Sequence, residues 1–303
     1  MQDFSRKAYI VTGPTSGIGR ATALILASHG TVILVGRDSE KLARMQDRIA
    51  RNGGHAVSVL CDLSDLESIR RAAAEILALN LPIAGLVNNA GIMQMRPTRN
   101  LRGWDMSFMT NHVGPFALTE ALAPNLPDGA NIVFVVSAVE DPARKAAAAS
   151  GFRGGRYISA EASARGEWQV GGSTKPGYDA YATSKQAILA SALAFAREMP
   201  RLRINAVEPG FNPSTGLARD AGPFVRILAR SIVPLLVPLF MPFMKILSTP
   251  RRAARVIATI VTNESGPTGV YFDEGGSPMR GSDLVHDTTF QDRVVAETRA
   301  LTR

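Results

Sequence analysis

Short, continuously apolar runs recur along this chain, each followed by a stretch with helical periodicity. Residues 31–35, 84–87 and 132–136 are apolar throughout rather than alternating, as strands buried on both faces of a parallel sheet should be. The pattern predicts seven strands, at 8–12, 31–35, 55–60, 84–88, 130–136, 202–207 and 268–272, with helices between them and two helical segments spanning 222–263. The fold class expected is α/β: a doubly wound parallel sheet of about seven strands flanked by helices. At 303 residues, 46% hydrophobic and 20% charged, the chain can bury a substantial core, and one domain over 1–303 is expected. No period of roughly 20 to 50 residues argues for a solenoid.

Two local patterns carry chemistry. Thr12-Gly13-Pro14-Thr15-Ser16-Gly17-Ile18-Gly19 directly follows the apolar Ala8-Tyr9-Ile10-Val11 and precedes an apolar-periodic stretch at 21–27. Strand, glycine-rich turn, helix is the context in which such a loop binds a dinucleotide. Gly13 permits the tight turn, Gly17 lets the backbone approach a pyrophosphate, and Gly19 lets helix and strand pack closely. Thr15, Ser16 and Ile18 complete the loop, and the helix N-terminus offers unpaired N–H groups to phosphates.

The second pattern is Tyr181-Ala-Thr-Ser-Lys185. One helical turn separates the phenol from the ammonium, so on a helix they share a face. A lysine charge ~5 Å away, at an effective dielectric of ~20, favours the phenolate by roughly 3 kcal/mol, about two pK units. Such a shift brings a tyrosine towards the range useful for general acid–base work.

With these motifs in order, the chain resembles the short-chain dehydrogenase/reductase family over about residues 7 to 275. Gly13, Gly17 and Gly19 match the family's glycine loop. Asp62, followed by Leu63, matches the acidic residue that touches the adenine ring. Asn88-Asn89-Ala90-Gly91 matches the family's Asn-Asn-Ala-Gly, and Asn111 its catalytic asparagine. Ser137 matches the catalytic serine, and Pro209-Gly210 the turn that lies along the nicotinamide. The resemblance implies a Rossmann-type fold and hydride transfer at the nicotinamide C4. It implies Tyr181 as proton donor or acceptor and Ser137 hydrogen-bonding the reacting oxygen. Lys185 would lower the Tyr181 pKa and hold the ribose, while Asn111 positions a water that links Lys185 to solvent.

Cofactor choice turns on the end of the second strand, Leu34-Val35-Gly36-Arg37-Asp38. NAD-selecting sites place an acid at the strand tip for the ribose 2′-hydroxyl. Gly36 stands there, and Arg37 follows as a planar donor suited to a 2′-phosphate. NADP(H) is therefore the expected cofactor, with NAD(H) left open. The other reading has Arg37 on the surface while Asp38 caps the next helix.

Net charge is +8, with basic residues dispersed apart from Arg251-Arg252-Arg255 and no nucleic-acid motif, so no nucleic-acid partner is expected. An anionic membrane surface or phosphate-bearing ligands suit the charge better. The single Cys61 cannot form an internal disulfide, and His29, His55, His112 and His286 lack ligand spacing, so no metal is expected. The first strand begins by about residue 8, and cytoplasmic residence is the default expectation.

Two segments depart from the family pattern. The connection from Ser137 to Tyr181, about 139–177, is much longer than usual and contains Arg153, Arg156, Tyr157 and Trp168, read either as substrate contacts or as solvated loop. With 208–219 and Gly269-Val-Tyr-Phe272, it resembles the protochlorophyllide reductase and retinol dehydrogenase branch. The second segment, within 211–247, has a proline-broken apolar core at 232–244, too short and interrupted for an ordinary spanning helix. It reads as a lid over a hydrophobic substrate; core or oligomer packing and peripheral membrane contact stay open. The alanine-rich 187–196 suits either a homo-oligomer contact or a buried core helix. The leading expectation is an NADP(H)-dependent oxidoreductase acting on a carbonyl or alcohol of a bulky apolar molecule. Carbon–carbon double-bond reduction and a non-catalytic cofactor-binding regulator are the alternatives.

Overall fold

The computed structural model describes residues 7–168, 173–210 and 248–303. All seven strands join one parallel sheet in the order β3-β2-β1-β4-β5-β6-β7. They are β1 (Ala8–Thr12), β2 (Thr31–Gly36), β3 (His55–Leu60), β4 (Ile83–Asn88), β5 (Asn131–Val135), β6 (Arg203–Val207) and β7 (Tyr271–Phe272). The chain winds outward from β1 to β3, then returns past β1 to β4 and winds the other way. The C-terminal ends of β1 and β4 therefore flank the crevice where a doubly wound sheet binds its ligand.

Apart from the edge strand β3, the strands are buried on both faces, which is why their sequences do not alternate. Ile10, Ile33 and Phe134 point into one apolar cluster, while Val11, Val32 and Val133 point into a second cluster on the opposite face. Helices α1 (Gly17–Leu26) and α2 (Ser39–Arg51) cover the second face. Helix α3 (Leu66–Ala78) packs on the first. Asp38 and Asp65 start α2 and α3 by accepting from the N–H groups of Lys41 and Glu67, a capping bond worth about 1 kcal/mol.

After β4 the chain makes a short helix α4 (Met106–Phe108), a π-helical turn at Met109–Val113, and α5 (Gly114–Leu122). Two further short helices, α6 (Lys145–Ala149) and α7 (Ala160–Ala164), precede the long α8 (Pro176–Glu198). The rings of Phe116 on α5 and Phe195 on α8 lie 4.9 Å apart, and Phe134 on β5 sits 6.4 Å from Phe195. Burying each such ring contributes on the order of 1.5–3 kcal/mol, which fixes α8 beneath β5. Residues 187–196 are buried within this one chain, as the core-helix reading requires.

Three expectations need adjustment. The seventh strand is two residues long, because Gly269 takes a left-handed φ of 74° and the pairing with β6 starts at Ala206 and Tyr271. The connection 139–177 is an ordered layer as far as it is described, carrying α6 and α7. Before the last strand, α9 (Pro250–Thr262) covers the second face, and beyond that strand α10 (Asp283–His286) and α11 (Thr288–Thr302) follow. No element after β7 was expected, yet α11 packs on α8, α7 and α5. The lid region 211–247 lies outside the described residues, as does the part of 222–263 before 248. Among the described residues no helix is long and apolar enough to cross a membrane.

Candidate active site

The glycine loop closes the C-terminal end of β1. Gly13 donates to Val35 O at 2.9 Å. Its φ of 65° and that of Gly17 at 54° fall where a side chain is strained. A Cβ on Gly19 would run into Asn89 Nδ2 and Gly13 O, so only glycine fits the helix start against the loop. Ser16 precedes α1 with its side chain making no capping bond. The first-turn N–H groups are thereby left to an incoming anion. Thr15 is half-buried, Ser16 exposed, and Ile18 buried against the core.

Asn89 and Thr12 staple this loop to β4. Asn89 Nδ2 donates to Thr12 O at 2.8 Å and to Gly13 O at 3.3 Å. Thr12 Oγ1 accepts from the N–H groups of Asn89 and Ala90, each at 3.0 Å. Thr12 was read as the end of the first strand and the start of the loop, with no role for its hydroxyl, which sets the Asn89-Ala90 backbone. Asp62 Oδ1 accepts from Ser64 N and Ser64 Oγ at 2.8 and 2.7 Å. Leu63 turns its side chain into the core. Arg37 is exposed, with no hydrogen bond or ion pair among the described residues, while Asp38 is engaged by Lys41. Such an arrangement fits a nicotinamide dinucleotide: a glycine cradle that a Cβ would fill, free helix N–H groups, and an unengaged guanidinium at the tip of β2.

A second constellation meets it from α5 and α8. Asn111 lies in the π-helical turn, a distortion common at functional sites. Its Nδ2 donates to Ile92 O at 2.8 Å and to Ser184 Oγ at 3.0 Å, and its Oδ1 accepts from Ile92 N at 2.8 Å. Lys185 Nζ donates to Val135 O at 2.9 Å and sits 5.6 Å from the Tyr181 ring centre. A Cβ on Gly91 would lie 3.4 Å from Asn111 Oδ1 and 3.5 Å from Lys185 Nζ. Ser137 lies two residues past β5, and its hydroxyl lowers the pKa of the facing Tyr181. Gly91, Asn111, Ser137, Tyr181 and Lys185 thus converge beyond the C-terminal ends of β4 and β5, with Pro209-Gly210 following β6.

The electrostatics differ from the sequence expectation. Lysine was to pull the Tyr181 pKa down. Instead burial pushes it well up, the Glu208 carboxylate adds to the rise, and the Ser137 hydrogen bond opposes both. Burial likewise lowers Lys185 to about 8, with Glu208 opposing that fall. Desolvation dominates at both buried groups, and Val135 O accepts from the ammonium.

The long connection supplies structure more than contacts. Arg153 pairs with Asp179 at 2.5 Å, and Asp179 is 1% exposed. Tyr157 donates to Glu297 on α11 at 2.7 Å. Trp168 is buried, 6.2 Å from Phe108. Solvated loop describes none of these three. Arg156 is held through its backbone N–H, which donates to Thr183 Oγ1 at 2.9 Å. Phe152, passed over in the sequence, packs 6.2 Å from Tyr181 and 4.8 Å from Tyr178. Nothing local in Ser-Gly-Phe marks it, because its partners lie more than twenty residues on.

Fold and site together define a Rossmann-type dinucleotide protein. A short chain dehydrogenase family model matches residues 7–149. Human retinol dehydrogenase 13 is 41% identical over 123 residues, 40% of this chain and 37% of that protein. A Streptomyces sp. (strain C5) protein provisionally named daunorubicin C-13 ketoreductase DnrU is 27% identical over 285 residues, 91% of this chain and 86% of it. A Burkholderia cenocepacia J2315 short chain dehydrogenase crystallised with NADP superposes with a TM-score of 0.62 at 24% identity, over 91% of this chain and 99% of that one. Over residues 7–149 the chain is similar to the short-chain dehydrogenases/reductases. Its alignments with the first curated relatives span 44%, 42% and 41% of their lengths.

Proposed function

We propose that this protein is an NADP(H)-dependent oxidoreductase that interconverts a carbonyl and an alcohol on a bulky hydrophobic molecule. The observation that carries the reading is the convergence of Ser137, Tyr181, Lys185 and Asn111 beside a glycine cradle. The bound nicotinamide supplies or accepts the hydride. In reduction the Tyr181 hydroxyl donates its proton to the carbonyl oxygen, which the Ser137 hydroxyl also holds by hydrogen bond. Lys185 presents a positive charge below pH about 8 and stabilises the phenolate as it forms. Asn111, fixed by Ile92 on both sides of its amide, holds the helix distortion that keeps room beside Lys185. A positioned acid of this kind supplies roughly 10² to 10⁴ in rate.

Three observations support the finer choices. Arg37 is unengaged at the tip of β2, which favours the 2′-phosphate and hence NADP(H). Phe152 and Tyr178 give the tyrosine an aromatic surround. The names of the retinol and daunorubicin relatives both denote large apolar skeletons. The apolar run 232–244 adds its composition to that reading.

The test is turnover of a panel of polycyclic and long-chain ketones with NADPH, followed by nicotinamide absorbance and product mass. Tyr181→Phe should lower turnover by about 10² or more while NADPH affinity is kept. Wild-type turnover by that variant would remove Tyr181 from proton transfer.

A further inference from the structure

Strand β6 delivers one more ionisable side chain to the same end of the sheet, and the scheme above leaves it without a task. Glu208 follows β6 directly and is 7% exposed. Its Oε1 accepts from the Gly210 N–H at 3.0 Å, and its Oε2 accepts from the Ala138 N–H. Its own N–H donates to Phe272 O at 2.8 Å, which anchors the residue to β7. Ala138 is the neighbour of Ser137, so one carboxylate ties the backbone at the serine to the Pro209-Gly210 turn. A donor on each oxygen suits an ionised carboxylate, because a carboxylic acid commits one oxygen to its own proton.

The ionisable groups facing Glu208 are Lys185 and Tyr181 on α8, Tyr271 on β7 and Glu274 just beyond it. Tyr271 is buried, and its hydroxyl finds no partner among the described residues. Burial, with Glu274 adding to it, raises Glu208 above the ordinary carboxylate range, and the Ala138 and Gly210 N–H donors and Lys185 offset only part of that rise. A negative charge here favours the ammonium of Lys185 and disfavours the phenolates of Tyr181 and Tyr271.

We propose that Glu208 is a positioning residue: its carboxylate fixes Ser137 through Ala138 and holds Lys185 as ammonium and Tyr181 as phenol. That is the proton-loaded state a carbonyl reduction starts from, and this consequence for turnover rests on the function proposed above. The clamp and the charge do not, so both can be measured without substrate or cofactor.

The experiment titrates lysine-labelled (¹³Cε) protein by NMR, with the Lys185 signal assigned by its loss in Lys185→Met. The wild-type midpoint should fall near about 8. Glu208→Gln should lower it by about one pH unit or more, and Glu208→Asp, which keeps the charge, should lower it far less. Amide exchange is read in the same samples. In Glu208→Asp the shorter side chain cannot reach both N–H groups, so exchange at Ala138 and Gly210 should quicken about tenfold or more. With a turned-over ketone, the alkaline limb of kcat/KM should shift down in Glu208→Gln by as much as the Lys185 midpoint. An unmoved Lys185 midpoint in Glu208→Gln overturns the charge role. Unchanged exchange in Glu208→Asp overturns the clamp, and decides alone if Glu208→Gln does not fold. If both effects appear but no NADPH is consumed, the function reading fails and Glu208 keeps its role. If Tyr181→Phe abolishes turnover while Glu208→Gln leaves Lys185 unmoved, only the Glu208 proposal fails.

Discussion

The glycine-loop half and the connection-and-tail half of this molecule are built by different rules. Around β1, α1 and β4 the structure is set by backbone: two glycines at positive φ, one at a contact that admits no Cβ, and unpaired helix N–H groups. Around 138–177 and α11 it is set by side chains reaching across long separations. Arg153 meets Asp179, Tyr157 meets Glu297, and Glu140 accepts from the N–H and hydroxyl of Ser282 at 2.9 and 2.6 Å. Backbone rules are short in sequence and leave motifs, whereas paired side chains leave two unremarkable residues far apart. The first half should therefore fail through ligand binding when altered, and the second through stability.

The strongest test of the division is Gly19→Val. Its side chain would meet Asn89 Nδ2 and the Gly13 carbonyl. Displacing that backbone should weaken NADPH binding by about 10² or more, and overpacking of this kind costs roughly 1–3 kcal/mol of stability. Calorimetric titration with NADPH alongside thermal melting separates the two losses.

Arg153→Ala probes the other half. It leaves the Asp179 carboxylate buried without its counter-charge, with only the Ser173 hydroxyl donating to it among the described residues, which should cost about 3 kcal/mol. For a chain this long that lowers Tm by roughly 6–10 °C. NADPH affinity, measured on the folded protein, should be unchanged; a tenfold loss of affinity with an unaltered Tm would return Arg153 to the ligand site.

Arg37→Ala should weaken NADPH about tenfold to a hundredfold, matching a charge-assisted contact of roughly 1.5–3 kcal/mol. NADH should bind the variant as it binds the wild type. Equal losses for both cofactors would show that Arg37 does not read the 2′-phosphate.

The last effect is a pH dependence. Burial raises Glu140 from 4.5 to about 7, against the pull of Ser282. The native state then holds this proton more tightly than the unfolded chain. Its contribution is present below pH about 4.5 and is lost as pH rises to about 7. Gln at this position can accept from the Ser282 N–H and donate to its hydroxyl without titrating. Glu140→Gln should accordingly match wild type at pH 4.5 and exceed it by up to about 3 kcal/mol at pH 8. Parallel melting curves for the two proteins across that pH range would show otherwise if the sign is wrong.

The same division explains what the sequence made legible. Six of the seven strands were readable to within a residue at each end, most of them because burial on both faces leaves short apolar runs. The glycine loop, Asn89, Asn111, Ser137, Tyr181 and Lys185 were readable because each sits in a short motif beside a strand end. The seventh strand was read too long, since Gly269 breaks the pairing that Val270 and its neighbours suggested. The roles of Phe152, Glu140 and Glu208 were invisible: each depends on a partner more than two dozen residues away, or on burial that sequence does not report. The electrostatics of Tyr181 were misjudged for the same reason. The Tyr181–Lys185 spacing showed the lysine, while desolvation and Glu208 belong to the assembled fold.

The most direct measurement is deuteride transfer. The protein is incubated with NADPH deuterated at the transferring C4 position and a panel of bulky apolar ketones, and the products are read by mass and NMR. The account predicts one deuteron on the carbinol carbon, and loss of that product in Tyr181→Phe. Deuterium on a former double-bond carbon, or NADPH that binds tightly and is never oxidised across the panel, would contradict it.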